Sequence, residues 1–272
     1  MSNERLFDAI RADDYARVKD ALEKGADVNT RYDNSWTPLM HAACVSSTPE
    51  IVRLLLEKDA EVDARSDADF TPLTFAAARS TRPEIVRLLL AAGSEVDARD
   101  EEGGTPLMMA ARFSTTPEIV SMLLAAGAEI EARDNLGQTP LMCAGSKGSL
   151  PLLRMLLEAK AEVDAVDPGT GFTAFHATCG NGHPDCAEAL VRAGCDTGLR
   201  TTKHGVTGRE IAKEKGHTAV LERLAAIKKT ETNRKKKEED QGTSKRGRDR
   251  TKEAEVGHGL SSCSCVWRIA TG

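Results

Sequence analysis

Four potential metal ligands, Cys179, His183, Cys186 and Cys195, stand close together in the C-terminal half of the chain. Thiolate and imidazole are the ligands zinc prefers, and four of them can close a tetrahedral site. Their placement argues against that use: Cys186 falls at an apolar helix position, and the four belong to three different layers of one sequence unit. Packed small side chains are the better reading, and no metal or other cofactor is expected. Other chemistry finds no more support. No glycine-rich phosphate loop follows a strand, HExxH is absent, and the serines lack the setting of a nucleophile elbow. His41 takes the place of an apolar core residue, His204 and His217 lie at turns, and none has a recognisable nucleophile or acid partner. Asp and Glu recur once per sequence unit, as scaffold residues do. Catalysis is not expected.

The elements that carry these residues repeat. Thr37–Pro38, Thr71–Pro72, Thr105–Pro106 and Thr139–Pro140 recur at a step of 34 residues, and Thr173–Ala174 and Thr207–Gly208 keep it. A fixed period of this length signals a solenoid. Thr105 suits an N-cap and Pro106 the first helical position, where a missing N–H costs nothing. This predicts a helix from Leu107 to about Phe113. Thr116, Pro117 and Glu118 restart the pattern, and Ile119, Val120, Met122, Leu123 and Leu124 give the second helix an apolar face that ends at Gly127. The following AEIEARDNLGQ reads as a short extended finger leading to the next Thr–Pro.

The segments TPLM, the alanine pair after it, PEIV, LLL and AGAE resemble the ankyrin repeat, in six or seven in-phase copies over residues 4–228. The resemblance implies an all-α solenoid of stacked helix-turn-helix units with β-hairpin-like fingers. It also implies a non-enzymatic scaffold or adaptor that binds another protein on the concave face of fingers and inner helices. The family pattern has His after TPL. Here Met40, Thr74, Met108 and Met142 take that place, so the implied helix-linking hydrogen bond is expected only at His176.

Composition agrees with thin, closely packed layers. Aromatics are only 4% of the 272 residues, and the apolar content is mostly Ala, Leu, Val and Ile. No window holds eighteen apolar residues and the N-terminus lacks a signal-peptide pattern, so no membrane span is expected. Seven cysteines without regular pairing fit a reducing compartment. A cytoplasmic monomer is expected, with the nucleus open in a eukaryote. Of 37 Lys/Arg and 42 Asp/Glu, 25 and 35 fall in residues 1–227 and 12 and 7 in 228–272, giving −10 and +5. Residues 229–272 read as a basic, disordered tail. Contact with nucleic acid through 228–252 is the alternative function.

Polar outer residues mark caps at both ends of the array. Asp59 and Lys160 stand where other units have the helix-stopping glycine. From KGSLPL onward the helix-linking turn loses a residue and the finger gains one, so the enlarged fingers at 167–171 and 201–205 are candidate contacts. Two acidic rows and the row Arg31, Arg65, Arg99, Arg133 run along the fingers, and read as structural before functional. Trp36, Phe70 and Phe172 precede the Thr–Pro points, where they are either interface anchors or staples between fingers. Arg79, Arg112 and Phe113, near the ends of first helices, border the same groove, and Tyr32 and Leu136 extend it.

Overall fold

A computed structural model describes residues 2–230 and 232 of the chain. The chain divides into two units, Met1–Arg223 and Leu224–Gly272. In the second, residues 224–230 are helical. The first is built of helix pairs: α1 Ser2–Arg11 with α2 Tyr15–Glu23, α3 Pro38–Val45 with α4 Pro49–Glu57, α5 Pro72–Arg79 with α6 Pro83–Ala91, and α7 Pro106–Phe113 with α8 Pro117–Ala125. There follow α9 Pro140–Lys147 with α10 Leu150–Glu158, α11 Ala174–Gly180 with α12 Pro184–Arg192, and α13 Gly208–Glu214. First helices pack on first helices from α1 to α13, and second helices on second helices from α2 to α12. The result is an all-α solenoid of two helical layers.

From α3 onward each first helix starts as its Thr dictates. The Thr37, Thr71, Thr105, Thr139, Thr173 and Thr207 hydroxyls accept the backbone N–H three residues on, at 3.2–3.4 Å. Such a cap contributes about 1 kcal/mol. The apolar faces then meet between the layers. In the fourth pair Leu107, Met108, Ala110, Ile119, Val120 and Leu123 are all fully buried. In the first pair Leu6, Phe7, Ala9 and Ile10 are buried while Asp8 and Arg11 face outward, as a terminal unit covered on one side requires.

Second helices end in a left-handed residue. Gly25, Gly93, Gly127 and Gly194 have φ of 84–92°, and Asp59 and Lys160 take the same conformation at φ 62° and 71°. An L side chain there costs about 1 kcal/mol relative to glycine. Asp59→Gly and Lys160→Gly are each expected to raise the free energy of unfolding by up to about 1 kcal/mol in urea titration. Destabilisation by both would contradict this.

The finger rows prove to be main-chain connectors. Asn29, Asp63, Asp97, Glu131 and Asp164 each accept the backbone N–H of the following repeat, at Glu61, Glu95, Glu129, Glu162 and Asp196, over 2.7–3.0 Å. The arginine row reaches to the same following repeat with the polarity reversed, side chain donating to main chain. Arg31, Arg65 and Arg99 donate to the carbonyls of Arg65, Arg99 and Arg133, and Arg133 to that of Val166, at 2.7–2.8 Å. Their contacts with Glu61, Glu95 and Glu129 are exposed and lie at 3.3–4.0 Å, so each contributes at most about 1 kcal/mol. Val166 occupies the arginine position and interrupts the row, which Arg200 resumes by donating to the Gly205 carbonyl.

The widest backbone N–H···O bond of each finger is donated by its first residue. It spans four residues in Tyr32–Trp36, Ser66–Phe70, Asp100–Gly104 and Asp134–Gln138, and five in Asp167–Phe172 and Thr201–Val206. The extra residue is therefore inside the later fingers. Neighbouring fingers are tied by Asp67 N to Asn34 O, Glu101 N to Ala68 O, Asn135 N to Glu102 O and Thr202 N to Thr170 O, at 2.8–3.1 Å. The corresponding donor toward Leu136 is Pro168, which has no N–H. One tie is thus missing, between the finger of Leu136 and that of Phe172.

Candidate functional site

The side chains that border the fingers and first helices fall into three groups. In the first, rings form a continuous stack: Tyr32 on Phe7 at 5.0 Å, Phe7 on His41 at 5.6 Å, His41 on Trp36 at 5.1 Å, Trp36 on Phe75 at 4.2 Å, and Phe75 on Phe70 at 5.2 Å. The Arg11 guanidinium lies 5.5 Å from the Tyr32 ring centre. The stack joins three repeats, and Phe7 at its root is fully buried. Tyr32, Trp36 and Phe70 are thus brought together by Phe7, His41 and Phe75, residues whose part in the groove was not foreseen. Trp36→Ala removes the link between the second and third repeats. It is expected to cost about 1–3 kcal/mol of stability, less than a fully buried aromatic because Trp36 is half-exposed. Denaturant unfolding measures this, and an unchanged midpoint would show the stack to be incidental.

Burial holds two histidines of this face, His41 and His176, below the ordinary imidazole range. Burial pushes the His41 imidazole down, with help from the charge of Arg11, and its Nδ1 is buried without a hydrogen bond. Burial also pushes His176 down; its Nδ1 lies 2.9 Å from the Thr173 hydroxyl, closing the helix cap. The Nε2 of His176 faces the backbone of Leu199 and Val206 without a hydrogen bond of ordinary geometry, so the expected helix-linking bond is reduced to a cap. Both folded values lie below the unfolded one, so the unfolded chain binds protons first on acidification. Stability is expected to fall as pH drops below about 6.5, which thermal midpoints across that window would record.

In the middle group the side chains diverge. Arg112 is only 28% exposed: its Nη2 lies 3.4 Å from Asp134 Oδ2 and 3.5 Å from both Gln138 Oε1 and Cys143 Sγ. It braces the next finger from the end of α7. Arg79 is exposed at the end of α5, and Phe113 is 50% exposed at the end of α7. Neither borders the two clefts described next.

The third group surrounds the missing finger tie. A cleft of about 710 Å³ lies there, with Leu136 and Phe172 on its two fingers and Met142, Ser146, Ala177 and Asn181 beneath. Leu136 is 67% and Phe172 36% exposed. A second cleft of about 530 Å³ shares Phe172 and Ala177 and continues to His204, Val206 and Lys215. Both enlarged fingers line these clefts, through Pro168, Gly169 and Thr170 in one and Thr201 and His204 in the other. The Asp167 carboxylate accepts from Gly169 N at 2.7 Å and from the Thr170 hydroxyl, which fixes the shape of the longer finger. The role of Pro168 was missed in the sequence, although a proline at a position where other fingers present N–H donors was a usable signal.

The four potential zinc ligands have other employment. Burial pushes the Cys179 and Cys195 thiols up to about 12 and that of Cys186 to about 11, so all three stay protonated at neutral pH. Thiols held in that state are poor ligands and poor nucleophiles. The His183 ring covers Gly148 of the preceding repeat and its Nε2 lies 3.1 Å from the Ser146 carbonyl; His217 does the same over Gly182, 3.2 Å from the Gly180 carbonyl. Among the described residues no cluster of three or more His, Cys, Asp or Glu could hold a metal ion, and no helix is long and apolar enough to cross a membrane. The basic segment at 228–252 and the terminus at 257–272 lie outside the described residues, save for 228–230 and 232.

Paired helices, a constant step and a finger at each junction define a helical repeat protein with a side-chain-lined groove. A family model for ankyrin repeats matches three times, over residues 6–100, 75–167 and 147–236, and the chain belongs to the ankyrin-repeat family. A search among curated proteins found no match. Ankyrin repeats are generally protein-interaction modules, and proteins built from them are typically non-enzymatic.

Proposed function

We propose that this protein is a non-enzymatic scaffold or adaptor that binds a partner protein on its finger and inner-helix face, centred on the cleft between Leu136 and Phe172. The observation that carries this reading is the contrast between the ends of the groove. At the N-terminal end Trp36 and Phe70 are engaged with Phe75, and Tyr32 with Phe7. At the other end Leu136 is 67% exposed and Phe172, with one ring contact to His176, is 36% exposed against 42% for Tyr32, and the cleft between them, about 710 Å³, is larger than those of about 480 and 330 Å³ beside Trp36. Burying such side chains against a partner gains about 25 cal/mol per Å² removed from water, and aromatic anchors concentrate that gain. Tyr32, Arg79 and Phe113 would extend the contact, while Arg112 shapes the finger beside it.

The protein acts in this reading as a cytoplasmic monomer. Cys143, Cys179, Cys186 and Cys195 are free and buried, and Cys44 is free and half-buried, as a reducing compartment allows. Affinity capture with the full chain, repeated with Phe172→Ala and with Arg154→Ala on the exposed side of α10, tests the proposal. The specific partner is expected to be lost only with Phe172→Ala. Equal recovery with all three chains would overturn the placement.

A further inference from the structure

The ring stack of the first fingers carries a site of a different kind. Between the finger of Trp36 and that of Phe70 lies a cleft of about 330 Å³, which shares no residue with the cleft between Leu136 and Phe172. Trp36 and Phe70 line it together with Phe75, whose ring centre is 4.2 Å from Trp36 and 5.2 Å from Phe70. All three residues are half-buried, so each keeps part of its surface open. The titratable groups in the lining are both acids, Asp67 and Glu101, and both are exposed. Asp67 accepts from the Ser35 hydroxyl through one oxygen, the Glu101 carboxylate has no partner, and neither acid is in an ion pair. No lysine or arginine lines the cleft; Arg79, one turn beyond Phe75 on α5, stands outside it.

The faces of aromatic rings are electronegative, and carboxylates beside them add to the same field, so the cleft selects for a cation. The kind of cation follows from hydration and shape. A guanidinium is weakly hydrated, stacks flat on a ring and at the same time donates from its edge to a carboxylate; an ammonium is compact and holds its water more tightly. The chain already makes such a pairing at the other end of the stack. There the Arg11 guanidinium lies 5.5 Å from the Tyr32 ring centre and 3.5 Å from Asp8, and it lines the cleft of about 480 Å³ on the far side of Trp36. Beyond Trp36 the rings and acids recur without a guanidinium of their own.

We propose that the cleft of Trp36, Phe70 and Phe75 is a binding site for a guanidinium, presented by an arginine side chain of a peptide or protein ligand. The guanidinium stacks within about 6 Å of a ring centre and donates to the Glu101 carboxylate, while Asp67 adds to the attraction. This site is separate from the partner site between Leu136 and Phe172 and does not depend on it.

Titration of the full chain with the peptide acetyl-Gly-Arg-Gly-amide, and with its citrulline counterpart of the same shape and no charge, tests this. The indole N–H resonance of Trp36, identified by its loss in Trp36→Phe, reports occupancy. The arginine peptide is expected to shift it saturably and to bind about tenfold or more tightly than the citrulline peptide. Its affinity should fall about threefold or more in Glu101→Gln and in Phe70→Leu, and should fall with added salt. Circular dichroism checks that both variants are folded, and Glu101→Gln alters a side chain with no partner to lose. Equal binding of the two peptides, no shift with the arginine peptide, or an affinity indifferent to Glu101→Gln would overturn the proposal. Tighter binding of acetyl-Gly-trimethyllysine-Gly-amide would overturn the assignment to a guanidinium.

Discussion

Leu123→Ala is expected to lower the free energy of unfolding of the repeat array by about 2–5 kcal/mol, the cost of a leucine-sized cavity that its surroundings cannot fill. Leu123 lies on α8 with no exposed surface, in a layer with neighbours on both sides. In a solenoid, stability is the sum of intrinsic repeat terms and interfaces with neighbours, so damage in a middle layer weakens two interfaces together. Glu101→Ala is the matched control. Glu101 is exposed on a fingertip and ties its neighbours through main chain alone, its N–H donating to Ala68 O and its carbonyl accepting from Asn135 Nδ2, and alanine retains both. Urea unfolding of the two variants should therefore differ by most of the Leu123 effect. Equal shifts would mean that the division between core and finger positions is wrong.

Phe172→Ala and Leu136→Ala are expected to weaken partner binding by about 1–2 kcal/mol each while leaving the unfolding midpoint close to that of the wild type. Phe172 makes one ring contact, with His176 at 5.4 Å, and otherwise borders the two clefts. The two residues face one cleft, so their effects need not add. Trp36→Ala should behave in the opposite way, with a lower midpoint and unchanged affinity of the folded protein. Calorimetric titration and thermal unfolding on the same samples separate the two patterns. A loss of affinity confined to Trp36→Ala would move the binding centre to the first fingers.

Much of this architecture is legible in the sequence because it depends on local rules. Thr marks each first helix from α3 onward through a cap, with Pro fixing φ after it in α3, α5, α7 and α9, and glycine marks most second-helix ends through its left-handed conformation; Asp59 and Lys160 keep that conformation because the repeat imposes it. The shift of one residue from turn to finger is visible in the spacing and reappears as five-residue finger closures. Lateral relations are harder to read. The period places Trp36, His41, Phe70 and Phe75 on the same side of the array, but which ring touches which depends on rotamers and on the distance between layers. Arg112 follows the same logic: its register puts it at the groove, and Asp134, Gln138 and Cys143 of the next repeat then draw it inward. Pro168 lies between these cases, since its missing N–H is local while the tie it removes belongs to two repeats.

The central claim is that a protein partner lies in the cleft between Leu136 and Phe172. Photo-crosslinking from p-benzoylphenylalanine in place of Leu136, compared with the same group in place of Arg154 on α10, tests it most directly. The expected result is a covalent adduct with the captured partner from position 136 and none from 154. Adducts of equal yield from both positions, or from 154 alone, would contradict it.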